Sequence, residues 1–439
     1  MGKLTRKQKI LRRNIFLSLC AVVLICVIGL IGFAVNKIID LSGSQELAPP
    51  AESQSQQPAE PYLISKATVV NTGDILIHSP LLTCTYDSTT GDYDFSPLYK
   101  KVSGYFNEAD LAIANLEVTL GGKESGSYKG YPAFNTPDSL IDSIKAAGVD
   151  MLLTSNNHCY DTGLYGLKRT ARVLKEKNMP FIGTRENEQE SLYTVKDVNG
   201  IKIGMACYTY ENVSQGNGTK SINGRIVSSE AAPLLASFSY EKLDEFYLEA
   251  ENVIKEMKND GAEAVVFYMH WGNEYQLKQN HWQEQIAQKL CDLGVDVIVG
   301  GHPHVIQPIE LLTSTDGSRK TVCLYSMGNS VSNQRLSLLY EDCPTGHTED
   351  GMLFYYTFEK YSDGEVKLSS VDIIPAWVQK TGSGSSAEYV LYALENENSF
   401  SEQGLSASTG KNSYERTKSI VAQGLTECQK YLGCEVRFE

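Results

Sequence analysis

The sequence predicts an α/β body carried behind one membrane-spanning helix, and three observations predict it. Residues 15–35 are 21 consecutive residues without a charge. From residue 66 onward, short β-type runs alternate with amphipathic helical stretches, and the polar and histidine side chains fall after the strands. Alternation of that kind gives a sheet covered by helices, with ligands gathered at the carboxyl ends of its strands.

At about 1.5 Å per residue the apolar run reaches roughly 32 Å, enough for a bilayer core. Lys3, Arg6, Lys7, Lys9, Arg12, Arg13 and Lys37 against Asp40 give residues 1–41 a net charge of +6, and most of these cations precede the run. That asymmetry keeps the N-terminus in the cytoplasm and exports the rest, a single-pass cell-membrane topology with an extracytoplasmic body. The length of the run favours an uncleaved anchor over a signal peptide. Residues 42–65, rich in Ser, Gln, Pro, Ala and Glu, read as a flexible linker. The total of −14 leaves −20 on everything after residue 41. So acidic a body repels phosphate backbones, and nucleic acid is excluded as a partner.

The body is expected over residues 66–375. Residues 67–72 form a strand that stops at Gly73-Asp74, and residues 109–116 repeat the plan, with Asn115 and Glu117 at the end. A short helix at 140–147 precedes a strand at 149–154 and the run Ser155-Asn156-Asn157-His158. Helices at 166–177, 244–259 and 282–293 are stopped by polar turns or glycine, and strands follow at 180–183, 201–208, 264–269 and 295–299. The last two strands of that set lead into His270-Trp271-Gly272 and Gly300-Gly301-His302-Pro303-His304. The two glycines predict a sharp turn there, and His302 and His304, two apart, would point to one side. Strands at 322–325, 352–358 and 368–374 close the body before Pro375. Residues 376–439 read as a polar extension with one helix at 414–432.

Collected in order, the strand-end residues are Asp74 with His78, Asn115 and Glu117, Asn157 and His158, His270, and His302 with His304. Any one of these has an ordinary structural explanation. Five strands delivering oxygen and imidazole donors in one register point to a metal centre. Donors without thiolate suit manganese, zinc or iron, and there are enough for two divalent ions sharing one carboxylate. Ten scattered cysteines form no zinc-type spacing; Cys428 and Cys434 are close enough in sequence to pair in an exported chain.

The motifs G-D-I-L-I-H, N-L-E, S-N-N-H-x-x-D-x-G, H-W-G-x-E, G-G-H-P-H-V and Y-S-M-G-N occur in this order. Together they resemble the CapA-type poly-γ-glutamate capsule biosynthesis family, a branch of the calcineurin-like metallophosphoesterases, over about residues 66–375. The resemblance implies a four-layer α/β/β/α sandwich with a two-metal site. It implies Asp74 and His304 on one metal, Asn157, His270 and His302 on the other, and Glu117 between them. It casts His158 as the histidine at the leaving group and Asp161 as its orienting carboxylate. His78, Asn115, Trp271, Glu274 and Asn329 become residues that support the ligands or meet substrate.

Two positions depart from the superfamily pattern. Asp74 is followed by Ile75-Leu76 where Asp-x-His is usual, so His78 lies four residues on; and Glu117 stands where an Asp is usual. The resemblance implies a metal-dependent hydrolase in capsule or envelope polymer synthesis, with capsule-synthesis membrane proteins and an anionic polymer as partners. A polymer-binding scaffold and a general phosphoesterase are the competing functions.

Overall fold

The computed structural model describes residues 18, 23, 27 and 60–438, apart from 214–218, 397 and 406. Ser18, Val23 and Val27 are helical and exposed. The rest of the expected anchor, the basic stub and the linker as far as residue 59 lie outside the described residues. Among the described residues no helix is long and apolar enough to cross a membrane. The chain from Pro61 onward is a compact unit of its own.

Two large sheets make up that unit. In the first, β1 (Leu63–Ile75) has β4 (Leu111–Leu116), β5 (Met151–Leu153) and β6 (Phe181–Ile182) on one side in parallel. On its other side lie β17 (Asp350–Tyr361), β18 (Val366–Thr381) and β19 (Glu388–Ala393), all antiparallel, while β16 (Asn329–Val331) pairs with its end. The second sheet runs β10 (Arg225–Ile226), β9 (Lys220–Ile222), β8 (Ile201–Val213), β12 (Ala264–His270), β13 (Val297–Gly301), β15 (Lys320–Leu324), β14 (Ile309–Thr313). β7 (Tyr193–Val198) and β11 (Ser237–Ser239) also pair with β8, and β2 (Tyr86–Asp87) with β3 (Asp92–Tyr93) forms a small separate hairpin.

The period-two alternation of the strands decides which side chains meet. In β12, Val265, Phe267 and Met269 pack on the helices Leu243–Asn259 and His281–Asp292, while Ala264, Val266 and Tyr268 pack into the space between the sheets. In β13, Ile298 faces the helices and Val297 and Val299 face inward. In β4, Leu111 and Ile113 face inward, while Ala112, Ala114 and Leu116 face the layer containing the helix Ser139–Ala146. Both sheets thus share one interior and each carries helices on its outer face, a layered α/β arrangement compatible with a metallophosphoesterase-like sandwich. Continuing each alternation one step places Asn115, His270 and Gly301 on the inner side.

β1 reaches the same side by a different device. Ala67 and Val69 face inward and Val70 outward, so an unbroken strand would turn Asp74 outward. A register shift between Thr72 and Asp74 in the pairing with β4 reverses the sense, and Ile75 then faces outward. The bulge re-aims Asp74 into the interior. Gly73 makes it possible, because a Cβ there would lie 1.9 Å from Gly328 O. The strand therefore continues through Ile75 instead of stopping at Gly73-Asp74.

Gly300 and Gly301 also differ from expectation. They are extended residues of β13, and the positive φ values fall on His302 (96°) and His304 (56°). The glycines are required for close approach: a Cβ on Gly300 would meet Tyr325 O at 1.9 Å, and one on Gly301 would meet Asp74 Oδ1 at 2.9 Å.

The boundary expected at residue 375 falls inside β18, where Pro375 accepts the Leu394 amide at 2.7 Å. β19 extends the first sheet beyond it, and the helix Ala407–Leu432 buries Val421, Leu425 and Cys428 in the interior shared by the sheets. Gly424 lets that helix approach β14, since a Cβ there would sit 1.7 Å from Ile309 O. The C-terminal residues are thus part of the body. Cys428 and Cys434 are both free thiols.

Candidate metal centre

The strand ends converge where the interior between the sheets opens. Asp74 has no exposed surface; its Oδ1 accepts from Asn115 Nδ2 at 2.7 Å and its Oδ2 from the His302 amide at 3.2 Å. The same Oδ2 lies 3.4 Å from His304 Nδ1. Asn115 is itself oriented, because its Oδ1 accepts from Asn156 Nδ2 at 3.0 Å. Burial opposes ionisation of Asp74, but His304, His270 and Asn115 outweigh it and hold its carboxyl below the usual range.

Glu117 sits deeper and is less satisfied. It is fully buried, and neither carboxylate oxygen has a hydrogen-bond partner. His270 Nε2 is 3.4 Å from its Oε1 and His304 Nε2 is 3.9 Å away. Burial, with Asp74 and Glu274 adding like charge, pushes the Glu117 carboxyl well above the ordinary range.

The imidazoles of His270 and His302 are held in the form that donates a lone pair. Burial lowers His270 to about 3 and His302 well below its ordinary value. His270 Nε2 lies 2.8 Å from Asn157 Oδ1, and His302 Nδ1 is buried without a partner. The two rings are 4.9 Å apart by centroid, and Tyr210 lies 4.8 Å from His302.

Two groups of donor atoms follow, each mutually within 4.8 Å: Asp74, Glu117 and His304; and Glu117, His270 and His302. A third, Glu274 with His302 and His304, reaches out to the exposed side. Orphaned buried carboxylate oxygens and a neutral imidazole nitrogen without a partner are costly unless a cation fills the gap, so these residues fit divalent metal.

Around this core the remaining expected residues separate. His158 Nδ1 is 2.7 Å from Asp161 Oδ2, and both residues are buried. Asn329 lies 3.2 Å from His304 Nδ1 through its Oδ1 and donates to His304 O at 3.3 Å, so it orients that ring. His78 stands apart from the donor groups: its Nδ1 accepts from the Asn333 amide at 3.2 Å, and its ring meets Phe134 edge-on at 5.3 Å. Trp271 has no exposed surface, and its indole N–H donates to Tyr325 O at 2.9 Å. It supports the backbone beside Gly300 rather than meeting substrate.

Asn156, Phe134, Asn223 and Tyr210 are residues the sequence reading did not single out. Asn156 sits in the Ser-Asn-Asn-His run and could have been found there. The other three reach the site from loops and strands without a motif of their own.

A family model described as "Bacterial capsule synthesis protein PGA_cap" matches residues 68–334. The capsule biosynthesis protein CapA of Bacillus anthracis is 29% identical over 275 residues, covering 61% of this chain and 60% of that protein. The PGA biosynthesis protein CapA of Bacillus subtilis (strain 168) is 28% identical over 291 residues, covering 64% and 67%. The match thus spans less than two thirds of the length of the first relative. Among solved structures, the NAD nucleotidase of Haemophilus influenzae aligns with a TM-score of 0.41 at 13% identity, over 81% of this chain and 63% of that one.

Proposed function

The chain belongs to the bacterial capsule synthesis protein PGA_cap family, and from that premise we propose that it is a metal-dependent hydrolase or transferase of an anionic capsule or envelope polymer of the poly-γ-glutamate type. It is held at the outer face of the cell membrane by residues 15–35 and works beside capsule-synthesis membrane proteins. The observation that carries this reading is Glu117, buried and unpartnered at the junction of two donor groups.

Asp74 and His304 would hold one divalent ion, and Asn157, His270 and His302 a second, with Glu117 shared. Such ions supply Lewis acidity and an activated water at neutral pH. The chain's own residues do the rest. His158, with Nδ1 engaged by Asp161, keeps Nε2 for a proton delivered to the leaving oxygen or for a hydrogen bond to a developing oxyanion. Asp161 fixes the tautomer and the ring plane. These groups suit a phosphoester and equally the amide of a γ-linked chain. A module that only bound polymer would have no use for the His158–Asp161 pair, and that pair supports turnover.

Metal analysis of the purified chain offered manganese or zinc should find about two divalent ions per molecule, and His302→Ala should lower that number. A wild-type protein that binds none sinks the metal reading. Turnover is read with chromogenic phosphomonoesters and phosphodiesters and with γ-linked polymer. Preference for the small esters would make it a general phosphoesterase; loaded metal without turnover of any of them would leave the scaffold reading. Wild-type rates in His158→Ala on an ester with an alkyl leaving group, which must be protonated as it departs, would remove that histidine from the chemistry.

A further inference from the structure

We infer that Asn223, at the tip of the β9–β10 hairpin, is a positioning residue that fixes the His158–Asp161 pair for proton delivery; this rests on reading that pair as the proton donor of the site. Asn223 and Gly224 have φ of 49° and 71°, and Arg225 pairs with Ile222, so the two residues form the tight turn of a two-residue hairpin. Turn formation alone would explain an Asn-Gly pair. The Asn223 amide does more. Its Nδ2 lies 3.2 Å from Asp161 Oδ1 and 3.4 Å from Pro132 O, both far away in sequence.

Asp161 is held at three points. Its Oδ2 faces His158 Nδ1 at 2.7 Å and accepts the Phe134 amide at 2.7 Å, while its Oδ1 accepts from Asn223. Asn223 Nδ2 is also 3.2 Å from His158 Nδ1. Nδ1 beside a carboxylate carries the proton, because a lone pair there would face the negative oxygen. The Asn223 amide therefore donates to Asp161, not to the ring. Without it, Oδ1 loses its donor and the carboxylate is free to rotate, which turns the imidazole it holds. The hairpin itself is firmly anchored. Ile222 is buried with Cys159, Tyr160, Leu167, Leu234 and Leu235, the same cluster that seats the segment carrying His158 and Asp161.

Asn223→Gly separates the two roles, because glycine takes positive φ without cost and keeps the turn while deleting the amide. Two readouts on the full chain test it. In the first, the metal-loaded variant should keep wild-type metal content and KM. Its kcat should fall about tenfold on an alkyl phosphodiester, whose leaving oxygen needs a proton, and change little on a p-nitrophenyl diester, whose leaving group does not. In the second, the His158 Nδ1 proton, followed by NMR in the protein stripped of metal, should shift and exchange faster with water. An Nδ1 proton unchanged in shift and exchange overturns the inference, whatever the turnover. A shifted proton in a protein whose wild type turns over neither ester nor γ-linked polymer keeps the positioning role and sinks the hydrolase reading. Turnover of both esters at wild-type rates in Asn223→Gly leaves the hydrolase standing and reduces Asn223 to a turn residue.

Discussion

Glu117 concentrates the cost of this site in one side chain. A carboxyl group buried among Asp74, His270 and His304 with no donor for either oxygen gains nothing from the protein alone. Glu117→Gln should therefore leave the metal-stripped protein as stable as wild type or more so, while removing the stabilisation that manganese or zinc provides. For an ion at a hundredfold excess over its Kd that gain is about 2.7 kcal/mol. Thermal unfolding with and without metal reads both signs, and an undiminished metal-induced rise in Tm in the variant would refute the shared-ligand role. Single residues of this kind were legible in the chain because strand ends carry them in a recognisable order. Asn223 was not, since its amide meets Asp161 only after the hairpin has folded against residues 62 and 65 positions earlier. The place of His78 was open for a similar reason: the Asn333 amide that occupies its Nδ1 is 255 residues away.

At the scale of elements, the bulge in β1 is the decisive feature. Alternation along residues 67–72 predicts a strand and a stop, and nothing local announces that the strand resumes with its sense reversed. The cause lies in Gly328, whose carbonyl occupies the space a side chain on residue 73 would fill. Gly73→Ala should cost about 1–3 kcal/mol by overpacking and, by shifting Asp74, lower metal content as well. A variant with reduced stability but full metal occupancy would separate the bulge from the site. The C-terminal helix supplies a second case. Asp350 is fully buried and takes Nε and a terminal nitrogen of Arg416, both at 2.6 Å. Burial pushes its carboxyl up to about 6 against the pull of Arg416, above the unfolded value near 3.8. A raised carboxyl favours the folded state fully below pH about 4, and that contribution is lost as pH rises through about 6. Above it the ionised Asp350 depends on Arg416. Arg416→Met should accordingly cost about 2 kcal/mol at pH 8, less than a fully enclosed pair because the Arg416 side chain keeps 22% of its exposure. The cost should be smaller at pH 5; equal losses in denaturant titrations at the two pH values would contradict this linkage.

The whole molecule sets an electrostatic problem for either function. Everything after residue 41 carries −20, and a poly-γ-glutamate type polymer is itself a polyanion. Its layered body was readable from the alternation of strands and helices. A helix at 414–432 in the 376–439 segment was readable too, but its place in the body was not, because the residues that enter the shared interior, Val421, Leu425 and Cys428, make a narrow stripe in a mostly polar sequence interrupted by Gly424. With that segment counted as body, the acidic surface is a single object, and long-range repulsion opposes approach of the polymer until the charges are screened over about 10 Å at 0.1 M salt. Cations held at Asp74, Glu117 and the three histidines would supply the compensating positive charge. Polymer should therefore bind only the metal-loaded protein. Between 0.02 and 0.2 M salt, two opposing effects act: screening relieves the body's repulsion and weakens the attraction at the ions. If the local ion contact dominates, affinity falls as salt rises; if repulsion by the body dominates, affinity rises. Sedimentation or fluorescence binding with chelator and metal in parallel decides it. Tight binding that persists in chelator would mean that the polymer is held on a surface away from these ligands, and the metal centre would then have another substrate.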